Sequence, residues 1–193
     1  MSPSQTYLAL DLELNQPSGE IIQVGIAIAN FQQTQSQYLT KQWLIDPFES
    51  INPEITTLTG ISCLDIKEKA VSREQMAAEL AALIVEHKVF VNPITWGGGD
   101  CTELLEEFNK QGIVFPHFGR RWIDVKTFHV MLMLAQGKSH AGGLKSVMGK
   151  YGLPFAGMPH RADVDASNTL RLFFKLLERH AAMESIVQLA KKV

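Results

Sequence analysis

The run Tyr7-Leu8-Ala9-Leu10-Asp11-Leu12-Glu13-Leu14 sets two carboxylates inside an apolar segment. Asp11 and Glu13 are two residues apart. Side chains on a strand repeat with period two, so on a strand both acids leave the same face. Charges in the middle of an apolar strand are rarely buried unless paired. Two carboxylates that close repel unless something positive sits between them. A hard divalent cation with oxygen ligands is the natural occupant. A third acid, Asp100, stands just past the apolar stretch Ile94-Thr95-Trp96 and the triple glycine Gly97-Gly98-Gly99. Glycines there let the backbone approach a ligand closely. A last group, His160-Arg161-Ala162-Asp163-Val164-Asp165, lies at a loop-to-helix junction. The chemistry these residue types suit is that of metal ions at an all-oxygen site.

Elements must bring these pieces together. The first strand spans about residues 6 to 14. The cluster Asn15-Gln16-Pro17-Ser18-Gly19 turns the chain. Ile22, Val24, Ile26 and Ile28 alternate within a second strand, residues 20 to 30. A third strand runs from about Gln37 to Ile45. Three strands with short connections suggest an antiparallel meander. Pro53 opens and Gly60 closes a short helix. Ser72-Arg73-Glu74-Gln75 reads as a capping box opening a helix that ends near His87. Residues 89 to 96 read as a buried strand interrupted by Asn92-Pro93. Further helices carry Leu104, Leu105 and Phe108, then residues 125 to 134, then Leu144, Val147 and Met148. The last clear helix covers residues 163 to 179, followed by a helical tail. Residues five apart do not share a helix face, so His160 can meet Asp165 only if His160 precedes that helix. Strands first and helices alternating afterwards predict one α/β domain over 1–193, with a core at about 6–180 and a mixed sheet between helices.

Composition narrows the field. A chain of 193 residues with 46% hydrophobic and 20% charged residues suits one soluble domain with a sizeable core. No apolar run approaches a membrane span, and the polar N-terminus lacks the features of a signal peptide. Cys63 and Cys101 form no CxxC pattern, which suggests a reducing cytoplasm and no structural zinc. A net charge of -2 argues against a protein that coats nucleic acid. It leaves room for an enzyme that grips one strand end.

Each motif is weak alone. With seven Asp and thirteen Glu among 193 residues, D-x-E is expected ~0.5 times by chance and H-x4-D ~0.2 times. Order and context make the case. The segments Leu10-Asp11-Leu12-Glu13, Ile94 to Asp100, and His160 to Thr169 together resemble the three motifs of the DEDDh (DnaQ-like) 3'-5' exonucleases of the ribonuclease-H-like superfamily. Pro53 to Ile61, Trp122-Ile123-Asp124-Val125 and Leu144 to Leu153 match the family as well. The likeness spans residues 6 to 177 and is nearest the Eri1-type (3'hExo-like) RNA exonucleases.

That resemblance implies a ribonuclease-H-like α/β fold, with helices on both faces of a mixed sheet. It implies that Asp11, Glu13, Asp100 and Asp165 hold two divalent ions, Mg2+ or Mn2+. Such a pair can lower the pKa of a bound water and stabilise the leaving oxygen of a phosphodiester. His160 suits the general base, since an imidazole titrates near neutrality, and its loop could close it onto the metals. The family spacing selects Asp165 over Asp163. By the same resemblance Leu14, Gly60 and Ile61 would touch the terminal nucleotide, Leu14 through its backbone and Ile61 by wedging against a base. Ordinary packing explains Leu14 and Ile61 nearly as well. The expected partner is single-stranded nucleic acid, RNA first and DNA second, and no membrane. The alternatives are a proofreading-type DNA exonuclease, an idle binding module of the same fold, and a phosphodiesterase for small nucleotides. Asp100 also has a plain reading as a helix cap. Trp43, Trp96 and Trp122 read as core. His87, His117, His129, His140 and His180 read as surface or loop residues. Leu14-Asn15 departs from the family, which has small or hydroxylic residues there, and three glycines precede Asp100 where relatives often place an aromatic.

Overall fold

The computed structural model describes residues 4–116, 118–119 and 121–190, with side chains described as far as 184. His117 therefore lies outside the described residues. In chain order the elements are β1 (Thr6–Leu14), β2 (Ile21–Asn30), β3 (Leu39–Ile45), α1 (Pro53–Thr59), α2 (Cys63–Lys69) and β4 (Ala70–Val71). Then come α3 (Arg73–Glu86), β5 (Ile94–Thr95), α4 (Gly99–Lys110), β6 (Ile123–Asp124), α5 (Val125–Ala135), α6 (Leu144–Lys150) and α7 (Ala162–Ala190). The strands form one sheet in the order β4-β3-β2-β1-β5-β6. β1, β2 and β3 are the expected antiparallel meander. β4, β5 and β6 join it in parallel.

The period-two pattern of β1 divides the core. Leu8, Leu10 and Leu12 face α3 and α4, packing with Ile26, Trp43, Met76, Leu80, Leu104 and Phe108. Ala9 faces the other way, with Ala27, Ala29, Val125, Val147 and the α7 residues Ala166, Leu170 and Phe173. Asp11 and Glu13 share the face of Ala9. The mixed sheet with helices on both faces is thus the predicted architecture.

α7 is graded in size where it meets the sheet. Ala162 and Ala166 lie near its start, and Phe173 and Phe174 lie farther along against Tyr7. Small residues let the start of the helix come close. At Gly25 of β2 the approach is so tight that an added Cβ would stand 2.1 Å from the Ala162 carbonyl carbon and the Asp163 nitrogen. Only glycine fits there.

Several sequence expectations change. Helix 163–179 and the tail are one continuous helix. The strand expected over 89–96 is ordered as such only at Ile94–Thr95, with Val89 making an isolated bridge to Thr6. α2 was not foreseen; it is opened by a reciprocal box in which Ser62 and Asp65 each cap the other's backbone N–H. The box expected at Ser72 is half made: Ser72 Oγ accepts from the Gln75 N–H, while the Gln75 side chain turns to Glu79. His129 is fully buried rather than on the surface, its Nδ1 2.9 Å from the Tyr151 hydroxyl. Trp43 is buried, and Trp96 and Trp122 are half-buried against the same cores. Among the described residues no helix is long and apolar enough to cross a membrane.

Candidate active site

The acids converge at one end of β1. Asp11 sits opposite Gly25 and Glu13 opposite Gln23, on the face that α7 covers. Ala9 pairs with Ile94 of β5, so the chain leaving β5 passes beside Asp11 and brings Asp100 in at the second residue of α4. Gly98, not Asp100, occupies the capping position of that helix, so Asp100 is free of the plain role. The Gly97-Gly98-Gly99 turn is held from both sides. Thr95, fully buried, donates to the Gly97 carbonyl at 2.6 Å. Asp124 accepts from the Gly97 N–H at 3.0 Å. The Asp124 carboxylate also caps α5, accepting from the N–H groups of Lys126 and Thr127 and from the Thr127 hydroxyl. Two part-buried hydrogen bonds thus fix the glycine turn ahead of Asp100.

The fourth acid arrives on α7. Gln23 Oε1 accepts from the Ala162 N–H at 3.0 Å, satisfying one orphan donor at the helix start. His160 comes two residues earlier, outside the helix as its spacing requires, with φ of 61°. A residue that is not glycine is uncommon there and often marks a functional site. The His160 N–H donates to Asp165 Oδ2 at 3.0 Å. A nitrogen of the exposed His160 ring and one carboxylate oxygen each from Glu13 and Asp165 lie within 4.8 Å of one another. Asp163 is not part of this group; one of its carboxyl oxygens is buried without a hydrogen-bond partner among the described residues.

The His160 loop is anchored at its root. Asn168, fully buried, accepts from the Ala156 N–H at 3.2 Å and donates to the Ala156 carbonyl at 2.8 Å. Arg171 holds the Pro154 carbonyl at 2.9 Å. Gly157 to Pro159 is therefore the short span between the anchor and His160.

Burial and mutual repulsion dominate the electrostatics. Burial lifts Asp11 well above the usual carboxylate range, and the charges of Asp100, Asp165 and Glu13 lift it further. Glu13 is pushed up to about 7 by burial, then by Asp165 and Asp100, with Arg161 pulling the other way. Asp100 is pushed up to about 7 by burial, then by Asp124. Burial also raises Asp165, against the His160 N–H. Among the described residues no Lys or Arg ion-pairs with any of the four. An all-oxygen cluster with an imidazole at its rim and, among the described residues, no ion-paired cation fits a divalent metal ion.

A cleft of about 690 Å³ opens from the rim, lined by His160, Asp165, Leu58, Lys145, Phe155 and Met158 among others. Leu58 and Met158 are exposed. Of the residues expected to touch a terminal nucleotide, Leu14 follows a bulge after Glu13, and its side chain packs with the Leu8–Leu12 face. Gly60 closes α1 in the left-handed conformation, two residues past Leu58. Ile61 does not meet its expectation. It is 1% exposed, packed among Ile22, Ile51 and Ile66, and a side chain in that core cannot wedge against a base. Leu58 is the apolar residue of that helix which reaches the cleft. Asn15 points away: Oδ1 accepts from the Asn52 N–H, and Nδ2 donates to Glu49 and Ser50. It fastens the start of α1.

Residues 8–173 match the family model of the RNase T exonucleases. The chain belongs to that exonuclease family. Among curated protein sequences none matches it. Solved structures show the same fold at low identity. The nuclease domain of 3'hExo, a DEDDh family member bound to rAMP, superposes with a TM-score of 0.77 at 16% identity, over 92% of this chain and 94% of that one. Cell-death related nuclease 4 gives 0.77 at 16%, over 92% and 65%. S. pombe Pop2p with Mg2+ and Mn2+ bound gives 0.58 at 20%, over 91% and 83%. The fold is the ribonuclease-H-like fold of the DEDDh exonucleases. Gly25, Gln23, Asp124 and Asn168 are this member's supports for the acidic cluster and its histidine. Of these Asp124 and Asn168 fall in segments that match the family and Gly25 is a glycine inside an apolar strand, while Gln23 gave no sequence signal.

Proposed function

We propose that this exonuclease removes 5'-mononucleotides from the 3' ends of single-stranded nucleic acid, RNA before DNA, with two divalent ions, Mg2+ or Mn2+. Asp11, Glu13, Asp100 and Asp165 would hold the ions. The observation that carries the reading is the convergence of these acids with an exposed imidazole within 4.8 Å of two of them. Bound divalent ions supply charge neutralisation at the leaving oxygen and a more acidic attacking water. His160 takes the proton of that water. Its backbone N–H bond to Asp165 keeps the ring at the rim of the cluster, where a strand end and solvent both reach it. Leu58, Phe155 and Met158 offer a terminal base an apolar wall, and Lys145 lines the same cleft, where its ammonium would suit a phosphate. RNA comes first because the fold matches 3'hExo, whose nuclease domain holds rAMP. Mg2+ and Mn2+ are supported by their presence in Pop2p.

Parallel digestion of matched RNA and DNA strands with Mg2+ or Mn2+ tests this. The expected product is a mononucleotide ladder from the 3' end, faster on RNA. Faster loss of DNA reverses the substrate order, and no product on either strand with either metal sinks the enzyme reading.

A further inference from the structure

Arg161 makes no ion pair with the acidic cluster, though its charge pulls against the rise of Glu13, and it is built into place. Its Nη2 donates to Gln42 Oε1 at 2.6 Å. The same Gln42 oxygen receives the Gln23 side-chain amide, and Gln23 Oε1 accepts from the Ala162 N–H. This chain runs from β3 through β2 to the start of α7, so the guanidinium is not a loose surface charge. Gln42 pairs with Gly25, which pairs with Asp11. The three lie in one row across the sheet, so Gln42 is two strand spacings, ~10 Å, from Asp11. The guanidinium tip held on Gln42 thus lies beside the cluster rather than in it. Among the described residues the bond to Gln42 is its only hydrogen bond and it makes no ion pair. A guanidinium has five N–H donors in a rigid fork, which matches a phosphate better than an ammonium does.

The protein also needs such a group. Four carboxylates and a net charge of -2 repel a polyanionic strand. A cation fixed at the edge of the cluster offsets that repulsion where the strand must pass.

Building on the exonuclease reading above, we propose that Arg161 binds an internal backbone phosphate of the substrate strand, next to the scissile phosphate but distinct from it. The competing account makes Arg161 only a tether between β3 and α7.

Salt dependence separates the two. Each phosphate neutralised on a single strand adds ~0.7 to the steepness with which log affinity falls against log salt. The experiment is equilibrium binding of a fluorescent single-stranded RNA to the full chain carrying Asp11→Ala, with and without Arg161→Gln, across a potassium chloride series. Arg161→Gln is expected to weaken binding severalfold at low salt and to flatten the slope by ~0.7, while Arg161→Lys keeps the slope. In the otherwise unaltered chain, Arg161→Gln is expected to raise KM on a long strand with kcat little changed. It should spare a dinucleotide, which has no internal phosphate beyond the scissile one. Parallel salt slopes, equal losses on dinucleotide and long strand, or no strand binding at all overturn the proposal. Strand hydrolysis by the Asp11→Ala chain would instead strike the catalytic reading, whatever Arg161 does.

Discussion

The His160 backbone N–H donates to Asp165 Oδ2 at 3.0 Å, while the His160 ring lies within 4.8 Å of the same carboxylate and of Glu13. One residue therefore does two things. Its backbone orients an acid of the cluster and its side chain lines the cleft. A substitution that keeps the backbone removes only the second. His160→Ala is expected to lower kcat by about 10²- to 10⁴-fold, the range of a lost general base, with Mn2+ affinity by calorimetry changed little. If metal binding disappears with the ring, His160 is a ligand and the assignment is wrong.

The raised carboxyls give a signed pH prediction. Glu13 and Asp100 titrate near pH 7 against ordinary values of 4.5 and 3.8. Between those values the folded chain holds protons that the unfolded chain has released, so metal-free stability falls as pH rises through that window. A divalent ion binds the ionised carboxylates and reverses the penalty. Thermal midpoints should therefore drop from about pH 5 to about pH 8 in chelator, and the rise on adding Mn2+ should grow over the same range. A metal-induced shift that is flat with pH would contradict the coupling.

Gly25 sets how close α7 comes to the sheet, with the Ala162 and Asp163 backbone in the space a Cβ would need. Gly25→Ala must push that backbone away, and overpacking of this kind costs about 1–3 kcal/mol. Asp165 would retreat from Asp11 with it. Loss of both thermal stability and metal-induced stabilisation is the expected outcome. A variant with normal Mn2+ affinity would show that the helix start does not control the cluster.

Asp124 and Thr95 hold the Gly97 amide and carbonyl ahead of Asp100. Asp124→Ala should weaken Mn2+ binding through Asp100 and fray α5, because it frees the turn and removes a helix cap, a loss of about 1 kcal/mol from the cap alone. Asp124→Asn, which keeps an acceptor oxygen for the Gly97 N–H, should recover most of the affinity. Equal losses for both would mean that charge, not position, is what Asp124 supplies.

The meander, the two-sided core and the acids of β1 were legible because period two writes itself into Leu8, Ala9, Leu10, Asp11 and Leu12. His160 and Asp165 were legible through the resemblance to the family's third motif, whose spacing of five works only if His160 precedes the helix. The extent and parallel pairing of the short strands were not. Ile94–Thr95, read as part of a strand over 89–96, and Ile123–Asp124 are two residues each, too short for any period to show. Of the two readings of Ile61 the packing one holds, because the motif match said where the chain runs and not which way the side chain turns. The neighbouring Leu58 faces the cleft, while Ile61 completes a cluster with Ile22 and Ile66. Asn15 looked like a departure from pattern at the substrate end, and its partners Glu49, Ser50 and Asn52 could not be seen without the fold. Arg161, Gln42 and Gln23 come from three separate stretches and meet only in the folded chain.

The most direct test of the central claim follows a single-stranded RNA labelled at its 3'-terminal nucleotide, digested with Mg2+ or Mn2+ by the unaltered chain and by Asp11→Ala. The account predicts that the label leaves first, as a 5'-mononucleotide, with the unaltered chain, and stays on the strand with Asp11→Ala. Label released from the strand by both proteins, or first appearing in longer fragments, would contradict it.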